Sequence, residues 1–209
     1  LQAVISAAQA VRSGEGDLFI AGGVESMTRA PYVMLKSGSA WNRTPPPVAD
    51  TTVGWRFTNP KMPKAWTIAL GETAERVAAQ YAVSRAEQDA FAVESQARAQ
   101  AAMAGNAFLD ELVPVELPDG KGGTTLFTRD EHPRAGVTLE ALGRMKPAFL
   151  KEGTVTAGTS SGINDGAAAL AVMSEAGLTA TGSRPLARIV GGAVAGVDPA
   201  GGGIIKYSN

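Results

Sequence analysis

The spacing of apolar residues predicts alternating helices and strands at both ends of the chain. From Leu1 to Val11, apolar positions recur at helical spacing, and residues 17–21 form a short apolar run that ends at two glycines. Near the other end, residues 167–173 form a continuous apolar run of strand length, and residues 186–195 form another. This alternation predicts an α/β sheet.

The pattern changes in the middle of the chain. Residues 34–66 lose periodicity and contain three consecutive prolines, so we expect a long excursion with little regular structure. Two helices are predicted next, at 72–81 and 85–104, the second opened by a capping box of Ser84 and Glu87. The apolar positions predicted to form its buried stripe are Phe91, Val93, Ala97 and Ala101.

A hairpin and a short helix complete the middle region. Alternating apolar residues at 111–117, the turn PDGKGG and residues 124–127 predict two antiparallel strands. Residues 139–144 predict one short helix. The whole pattern therefore predicts a layered α/β domain into which a large mixed module is inserted.

Composition and charge narrow the possible partners. The 209 residues are 44% hydrophobic with a net charge of −1, which is typical of a globular protein, and the basic residues form no cluster that would bind nucleic acid. No apolar run is long enough to span a membrane and the first residues do not resemble a signal peptide, so we expect a cytoplasmic location. With no cysteine and only His132, thiolate and histidine-rich metal sites are excluded.

Four segments carry a recognisable pattern: "AGGVESMTRAPY" at 21–32, "SRAEQDAFAVESQARA" at 84–99, "RMKPAFLKEGTVTAGTSSGINDGAAALAVMSE" at 144–175 and "LARIVGGAVAGVDP" at 186–199. In this order and register they resemble the thiolase family of coenzyme A-dependent acyltransferases. The segment "DTTVGWRF" at 50–57 is most similar to 3-oxoadipyl and related degradative thiolases. The resemblance implies 3-ketoacyl-CoA thiolysis or Claisen condensation through an acyl-cysteine intermediate.

The resemblance also implies a domain organisation. Thiolases have two similar α/β halves in a layered αβα fold, with a loop domain inserted in the first half. Here residues 1–33 would be the last helix and strand before that domain, and 34–153 the loop domain itself. Residues 154–178 would return to the first half, and 184–209 would start the second half with its first strand, followed by a tail from 200 that departs from the family's pattern.

No catalytic residue of the family is identified in this chain. The nucleophilic cysteine would precede Leu1, and the activating histidine and the second cysteine would follow residue 199. We therefore expect the isolated chain to be inactive. With its sheet incomplete, it is also expected to present unpaired strand edges and an uncovered apolar face, to be covered by a partner polypeptide, an identical chain or a missing piece of the same protein. The resemblance implies a homo-oligomer, because thiolases associate as dimers and tetramers.

What the resemblance assigns to this chain is coenzyme A binding, with acyl-CoA as substrate and no covalently bound cofactor. Ser161 matches the serine that contacts the pantetheine arm, and Arg134 matches the arginine that lies against the adenine. The apolar residues assigned to the walls are Leu70, Phe149, Ala157 and Ile163. At Leu70, biosynthetic acetoacetyl thiolases carry methionine, so a longer acyl chain is expected here.

Each assignment has a simpler alternative. The small residues of the loop at 156–162 are also typical of close packing, and Arg134 could be a solvated surface residue. Asp165 is expected to pin a turn, and Glu25 to be a buried carboxylate held by local N–H groups rather than an acid catalyst. The three tryptophans are compatible with an interface or with packing inside the monomer. The chain itself could be part of an enzyme, a non-catalytic coenzyme A-binding or structural module, or a truncated product.

Overall fold

The computed structural model describes residues 1–200, which form two compact units. The first contains Leu1–Thr58 and Ile163–Val197. The second contains Asn59–Gly162 and the last described residues from Asp198. Apart from Ala200, the tail predicted at 200–209 lies outside the described residues.

A helix and a two-stranded sheet build the first unit. Helix α1 (Gln2–Arg12) leads into strand β1 (Leu18–Glu25), which pairs antiparallel with β6 (Gly166–Met173), so that Leu18 lies opposite Met173. Helix α5 (Glu175–Thr181) follows β6. The predicted helix and both predicted strands are confirmed. Their core is small and consists of Ala7, Ala8, Ala21 and Val172.

Bare backbone lets β1 and β6 approach each other closely. A Cβ added at Gly22 would lie 2.6 Å from the backbone oxygen of Ala168, which is closer than real Cβ atoms come. A glycine is required here because the obstacle is backbone that cannot turn away. Elsewhere on the same sheet large apolar side chains lie exposed, among them Ile20, Val24 and Leu170.

The strand predicted at 186–195 is not formed. Residues 185–198 are irregular, and none of the described strands pairs with them. The segment is instead held by α1, because the Arg12 guanidinium donates to the backbone oxygens of Ile189 (2.8 Å) and Val190 (3.2 Å). An apolar run becomes a strand only when another strand satisfies its N–H and C=O groups.

The excursion after β1 contains more structure than its composition predicts. Strands β2 (Tyr32–Met34) and β3 (Val48–Asp50) pair antiparallel, and a 3₁₀ helix spans Lys64–Thr67. Strands this short leave little periodicity in the sequence. Trp41 is 96% exposed, which excludes packing inside the monomer for this tryptophan in the described structure.

Three helices and a hairpin build the second unit. They are α2 (Leu70–Gln80), α3 (Arg85–Ala104), the hairpin of β4 (Val115–Pro118) and β5 (Thr124–Phe127), and α4 (Leu139–Gly143). The capping box is confirmed: the Glu87 N–H donates to the Ser84 hydroxyl (3.2 Å), and the Ser84 N–H donates to the Glu87 carboxylate (2.7 Å). The hairpin is also confirmed, but its first strand begins at Val115, four residues later than predicted.

The predicted buried stripe of α3 is wrong. Phe91 is 77% exposed, Ala97 and Ala101 are exposed, and Val93 is half-buried. The one fully buried residue of the helix is Asp89, which is 4% exposed. The charged face is buried because α4 and the 3₁₀ helix at Ala157–Thr159 pack against α3 there. A buried ion pair therefore orients this helix, against its apolar pattern.

Two acidic residues of the first unit behave differently. Glu25 is exposed, so the prediction of a buried carboxylate is wrong. Asp165 does pin a turn, as expected: its carboxylate accepts from the Thr28 N–H (2.9 Å) and hydroxyl (2.7 Å) and from the Ser26 hydroxyl (3.5 Å). It joins the start of β6 to the 3₁₀ turn after β1.

These bonds predict an acid-dependent loss of stability. The hydrogen bonds from the Thr28 backbone and side chain lower the pKa of Asp165 from its usual value. Because the folded-state pKa is the lower one, the bonds stabilise fully above about pH 4 and are lost as pH falls through the folded-state pKa. We expect the difference in unfolding free energy between the wild type and Asp165→Asn to shrink from pH 7 to pH 3 in urea titrations. Parallel pH curves for the two proteins would contradict this.

Candidate functional site

The loop of small residues at 156–161 is fixed by its own hydroxyl groups. Thr156 is fully buried and its N–H donates to the Thr159 hydroxyl (3.0 Å). The Ser160 hydroxyl donates back to the Thr156 carbonyl (2.7 Å). These bonds close the 3₁₀ helix Ala157–Thr159, so Ala157 and Ser161, both exposed, lie on a rigid turn.

The loop packs closely against α4 because Gly158 has no side chain. A Cβ added at Gly158 would lie 2.5 Å from Leu142 Cδ2 and 2.8 Å from Met145 Sδ. Leu142 is buried, and α4 ends one residue later, at Gly143. Part of the bare backbone is thus explained by close packing, the simpler alternative considered above.

An ion pair on α3 holds α4 in place. Arg85 Nε lies 2.9 and 2.8 Å from the two carboxylate oxygens of Asp89, and Arg85 Nη2 donates to the carbonyls of Leu142 and Met145 (3.0 Å for the latter). The guanidinium thereby bonds one carbonyl in the last turn of α4, that of Leu142, and one just beyond the helix end, that of Met145. One planar group joins α3, α4 and the residues that touch Gly158.

A buried carboxylate holds the segment that enters the loop. Both oxygens of Glu75, on α2, accept hydrogen bonds from Thr154, and Oε1 also accepts from the Val155 N–H (2.8 Å). The sequence does not distinguish this residue, because Glu72 and Glu75 are both polar positions of α2. The only sequence signal is Gly153, where a Cβ would overlap the Glu75 carboxylate.

Two of the predicted wall residues are brought near the same segment. The Ala148 N–H donates to the Val155 carbonyl (2.9 Å), which sets Phe149 beside the segment at 154–155. The Phe149 ring lies directly on Gly71, the neighbour of Leu70, so closely that a Cβ at Gly71 would overlap it. Both Phe149 and Leu70 are partly or largely exposed, which leaves their apolar surface available to a ligand.

The backbone of Arg134 is hydrogen-bonded to α3, the helix against which the loop packs. Its N–H donates to Gln96 Oε1 (2.9 Å), while its side chain is exposed. Gln96 follows Asp89 by seven residues, so both lie on one face of α3, about 10 Å apart along its axis. The second unit therefore contains five of the six predicted binding residues. Ile163 belongs by its contacts to the first unit, and its role stays a prediction.

The predicted binding residues of the second unit form an arrangement of exposed groups on fixed backbone. It presents exposed hydroxyl, guanidinium and apolar groups on a backbone held by internal hydrogen bonds. Within residues 1–200, no cluster of histidine or acidic residues is arranged to hold a metal ion. No helix in the same range is long and apolar enough to cross a membrane. His132 is exposed in its loop, as predicted.

Known proteins resemble the chain over most of its length. Two β-ketoadipyl-CoA thiolases, from Acinetobacter baylyi and Pseudomonas aeruginosa, are 46% and 51% identical over 200 residues, which is 95% of this chain and 50% and 49% of theirs. The 3-oxoadipyl-CoA/3-oxo-5,6-dehydrosuberyl-CoA thiolase of Escherichia coli is 49% identical over 95% of the chain and 50% of its own length.

A solved structure shares the fold. The crystal structure of the acetyl-CoA acetyltransferase of Bacillus anthracis superposes with a TM-score of 0.79 at 40% identity, covering 95% of this chain and 49% of that one. The chain thus spans about half the length of the relatives it matches. The family model described as the thiolase N-terminal domain matches residues 1–176. The chain has a thiolase-like fold and belongs to the thiolase family.

Proposed function

We propose that this chain is the coenzyme A-binding part of a thiolase-family acyl-CoA acyltransferase, which performs 3-ketoacyl-CoA thiolysis or Claisen condensation. The observation that carries the proposal is the anchoring of Arg134 and of the loop at 156–161 on the same helix, α3. A ligand with a planar ring at one end and a narrow polar arm at the other needs two such contacts at a fixed separation.

Each contact suits one part of coenzyme A. The exposed guanidinium of Arg134 can stack on the adenine because it is planar and weakly hydrated. The loop offers a narrow arm the Ser161 hydroxyl and the small surface of Ala157, with Leu70 and Phe149 as apolar walls. Acyl-CoA would bind here as a substrate, with no cofactor attached to the protein.

The acyl-transfer step itself is proposed to need residues outside this chain. A thiolase reaction requires a cysteine nucleophile and an activating histidine. The chain has no cysteine, and its one histidine lies in an exposed loop. We therefore expect no turnover by the isolated chain. For the whole protein, the names of the relatives favour a 3-oxoacyl substrate of the 3-oxoadipyl class, and Leu70 suits an acyl chain longer than acetoacetyl.

The alternative is a non-catalytic coenzyme A-binding or structural fragment. The two proposals differ in one measurement: 3-oxoacyl-CoA cleavage that survives purification and dilution of this polypeptide would exclude the alternative. Assembly as a homo-oligomer is part of the first proposal. Its support is the apolar surface exposed on β1 and β6, since water-exposed patches of this kind are typical of interaction sites.

Removing the guanidinium tests the adenine contact. Calorimetric titration of the 209-residue chain with coenzyme A is expected to show affinity about two- to fivefold lower for Arg134→Ala, the value of one exposed cation–π contact. Arg134→Lys should lose nearly as much, because an ammonium cannot stack as a plane. The backbone bond to Gln96 remains in both variants, so the fold should be unaffected.

Arg129→Ala is the matched control, since it removes an exposed arginine from the preceding loop. It should leave the affinity unchanged. No binding of coenzyme A to the wild type at millimolar concentration, or an equal loss in Arg129→Ala and Arg134→Ala, would refute the proposed site.

A further inference from the structure

We infer that Glu75 is a positioning residue: its carboxylate fixes the backbone at Thr154 and Val155 and thereby sets the place of the coenzyme A-binding loop. The inference rests on the function proposed above. Nothing in that proposal requires Glu75, which does not belong to the exposed binding surface and is only 7% exposed.

Each carboxylate oxygen of Glu75 accepts two hydrogen bonds. Oε1 accepts from the N–H groups of Thr154 (2.9 Å) and Val155 (2.8 Å), and Oε2 accepts from the Thr154 N–H (2.8 Å) and hydroxyl (3.0 Å). Hydrogen bonds to an ionised group are about twice as strong as neutral ones. The two successive backbone amides at 154 and 155 are therefore hydrogen-bonded to α2.

The charge of Glu75 is balanced by backbone rather than by a cation. Among the described residues, the ion pairs within 4 Å join other groups, and Glu75 is in none of them. A buried carboxylate without a counterion depends on N–H donors to offset its desolvation. The carboxylate and the amides at 154 and 155 thus stabilise each other. If the segment at 154–155 shifts, both the carboxylate and the amides lose their hydrogen-bond partners.

Two neighbours make the position specific. Gly153 leaves room for the carboxylate, because a Cβ at that residue would overlap Oε1. The Thr154 hydroxyl also accepts from Gln88 Nε2 (2.9 Å), which ties the same residue to α3. Thr154 is therefore held between α2 and α3, two residues before Thr156, where the binding loop begins.

The expected consequence is a coupling between Glu75 and ligand affinity. Replacing one oxygen by an amide nitrogen, as in Glu75→Gln, removes an acceptor and places an N–H group against N–H donors. The segment at 154–155 is then held less tightly to α2, while the bonds from Gln88 to Thr154 and from Ala148 to Val155 remain. Residues Ala157 and Ser161 move with it, so the two ends of the ligand no longer meet their contacts together.

The test combines amide exchange with coenzyme A titration in the ¹⁵N-labelled 209-residue chain, well below its melting temperature. Glu75→Gln is expected to speed exchange of the Thr154 and Val155 amides and to weaken coenzyme A binding, each about tenfold. Glu72→Gln is the matched control: it lies one turn earlier on α2, is a third exposed, and pairs weakly with Arg76 at 3.9 Å. It should change neither quantity.

The outcomes separate this inference from the proposed function. Faster exchange with unchanged affinity, or a lower melting temperature alone, would overturn the positioning role and leave Glu75 a structural residue. Failure of the wild type to bind coenzyme A would refute the proposed function. The exchange rates would still decide whether Glu75 fixes the backbone at 154 and 155. Should Glu75→Gln fail to fold, Thr154→Val removes the hydroxyl that bonds both Glu75 and Gln88 but keeps the two backbone N–H donors to Glu75. It is expected to show both effects at about threefold, and unchanged values there would overturn the inference.

Discussion

Replacing Ala157 with tryptophan is expected to weaken coenzyme A binding by at least about a hundredfold, or about 2.7 kcal/mol. Ala157 is exposed on the first turn of the 3₁₀ helix, so the indole would project into the space proposed for the pantetheine arm. The loop cannot retreat to relieve the clash, because Thr156 is buried and Gly158 is packed against Leu142. Calorimetric titration of the chain with coenzyme A measures the effect.

The control is Ala180→Trp, which places the same side chain at an exposed alanine of α5 in the other unit. It should bind coenzyme A like the wild type. Equal affinities for Ala157→Trp and the wild type, with both proteins folded by circular dichroism, would show that the ligand does not lie along this loop.

Removing the carboxylate of Asp89 is expected to destabilise the chain by about 3 kcal/mol. Asp89 is 4% exposed, and Arg85 would remain half-buried with its positive charge no longer balanced. The loss should fall at the lower end of the range for broken buried pairs, since the guanidinium keeps the carbonyls of Leu142 and Met145 as acceptors. Urea unfolding of Asp89→Ala followed by circular dichroism gives the free energy.

The same helix provides the comparison. Arg98 and Glu94 form an ion pair of the same sequence spacing, but both side chains are largely exposed. Glu94→Ala should therefore cost less than about 0.5 kcal/mol. Similar losses for Glu94→Ala and Asp89→Ala would mean that the buried pair does not join α3 to α4. The double replacement Arg85→Met with Asp89→Leu should be less destabilising than Asp89→Ala, because no buried charge is left unpaired.

Local signals were sufficient where one element satisfies its own backbone. The bounds of α3 follow from the capping box of Ser84 and Glu87, and the short helix α4 begins where Thr138 caps it. Strand β6 was predictable because its continuous apolar run has the length of a buried strand. The family resemblance, carried by long motifs in register, is confirmed by the match over residues 1–176.

Signals failed where a partner distant in sequence determines the outcome. The apolar side of α3 was predicted to be buried, but the buried side is the one where Asp89 meets Arg85 and α4. Residues 186–195 have a strand-like composition, and yet none of the described strands offers them hydrogen bonds. Of the candidate site, the sequence supplied Arg134, Phe149 and Ser161 by resemblance, but not Glu75.

Except at residues 186–195 and in the short strands β2 and β3, element type was thus encoded locally, in side-chain pattern, caps and turn residues, since these act over a few positions. The burial of Asp89 and the contact of Glu75 with Thr154 and Val155 depended on residues up to 80 positions apart. Such contacts leave no trace in local periodicity, because a buried carboxylate and a solvated one have the same side chain. Only the folded chain brings the donors that distinguish them.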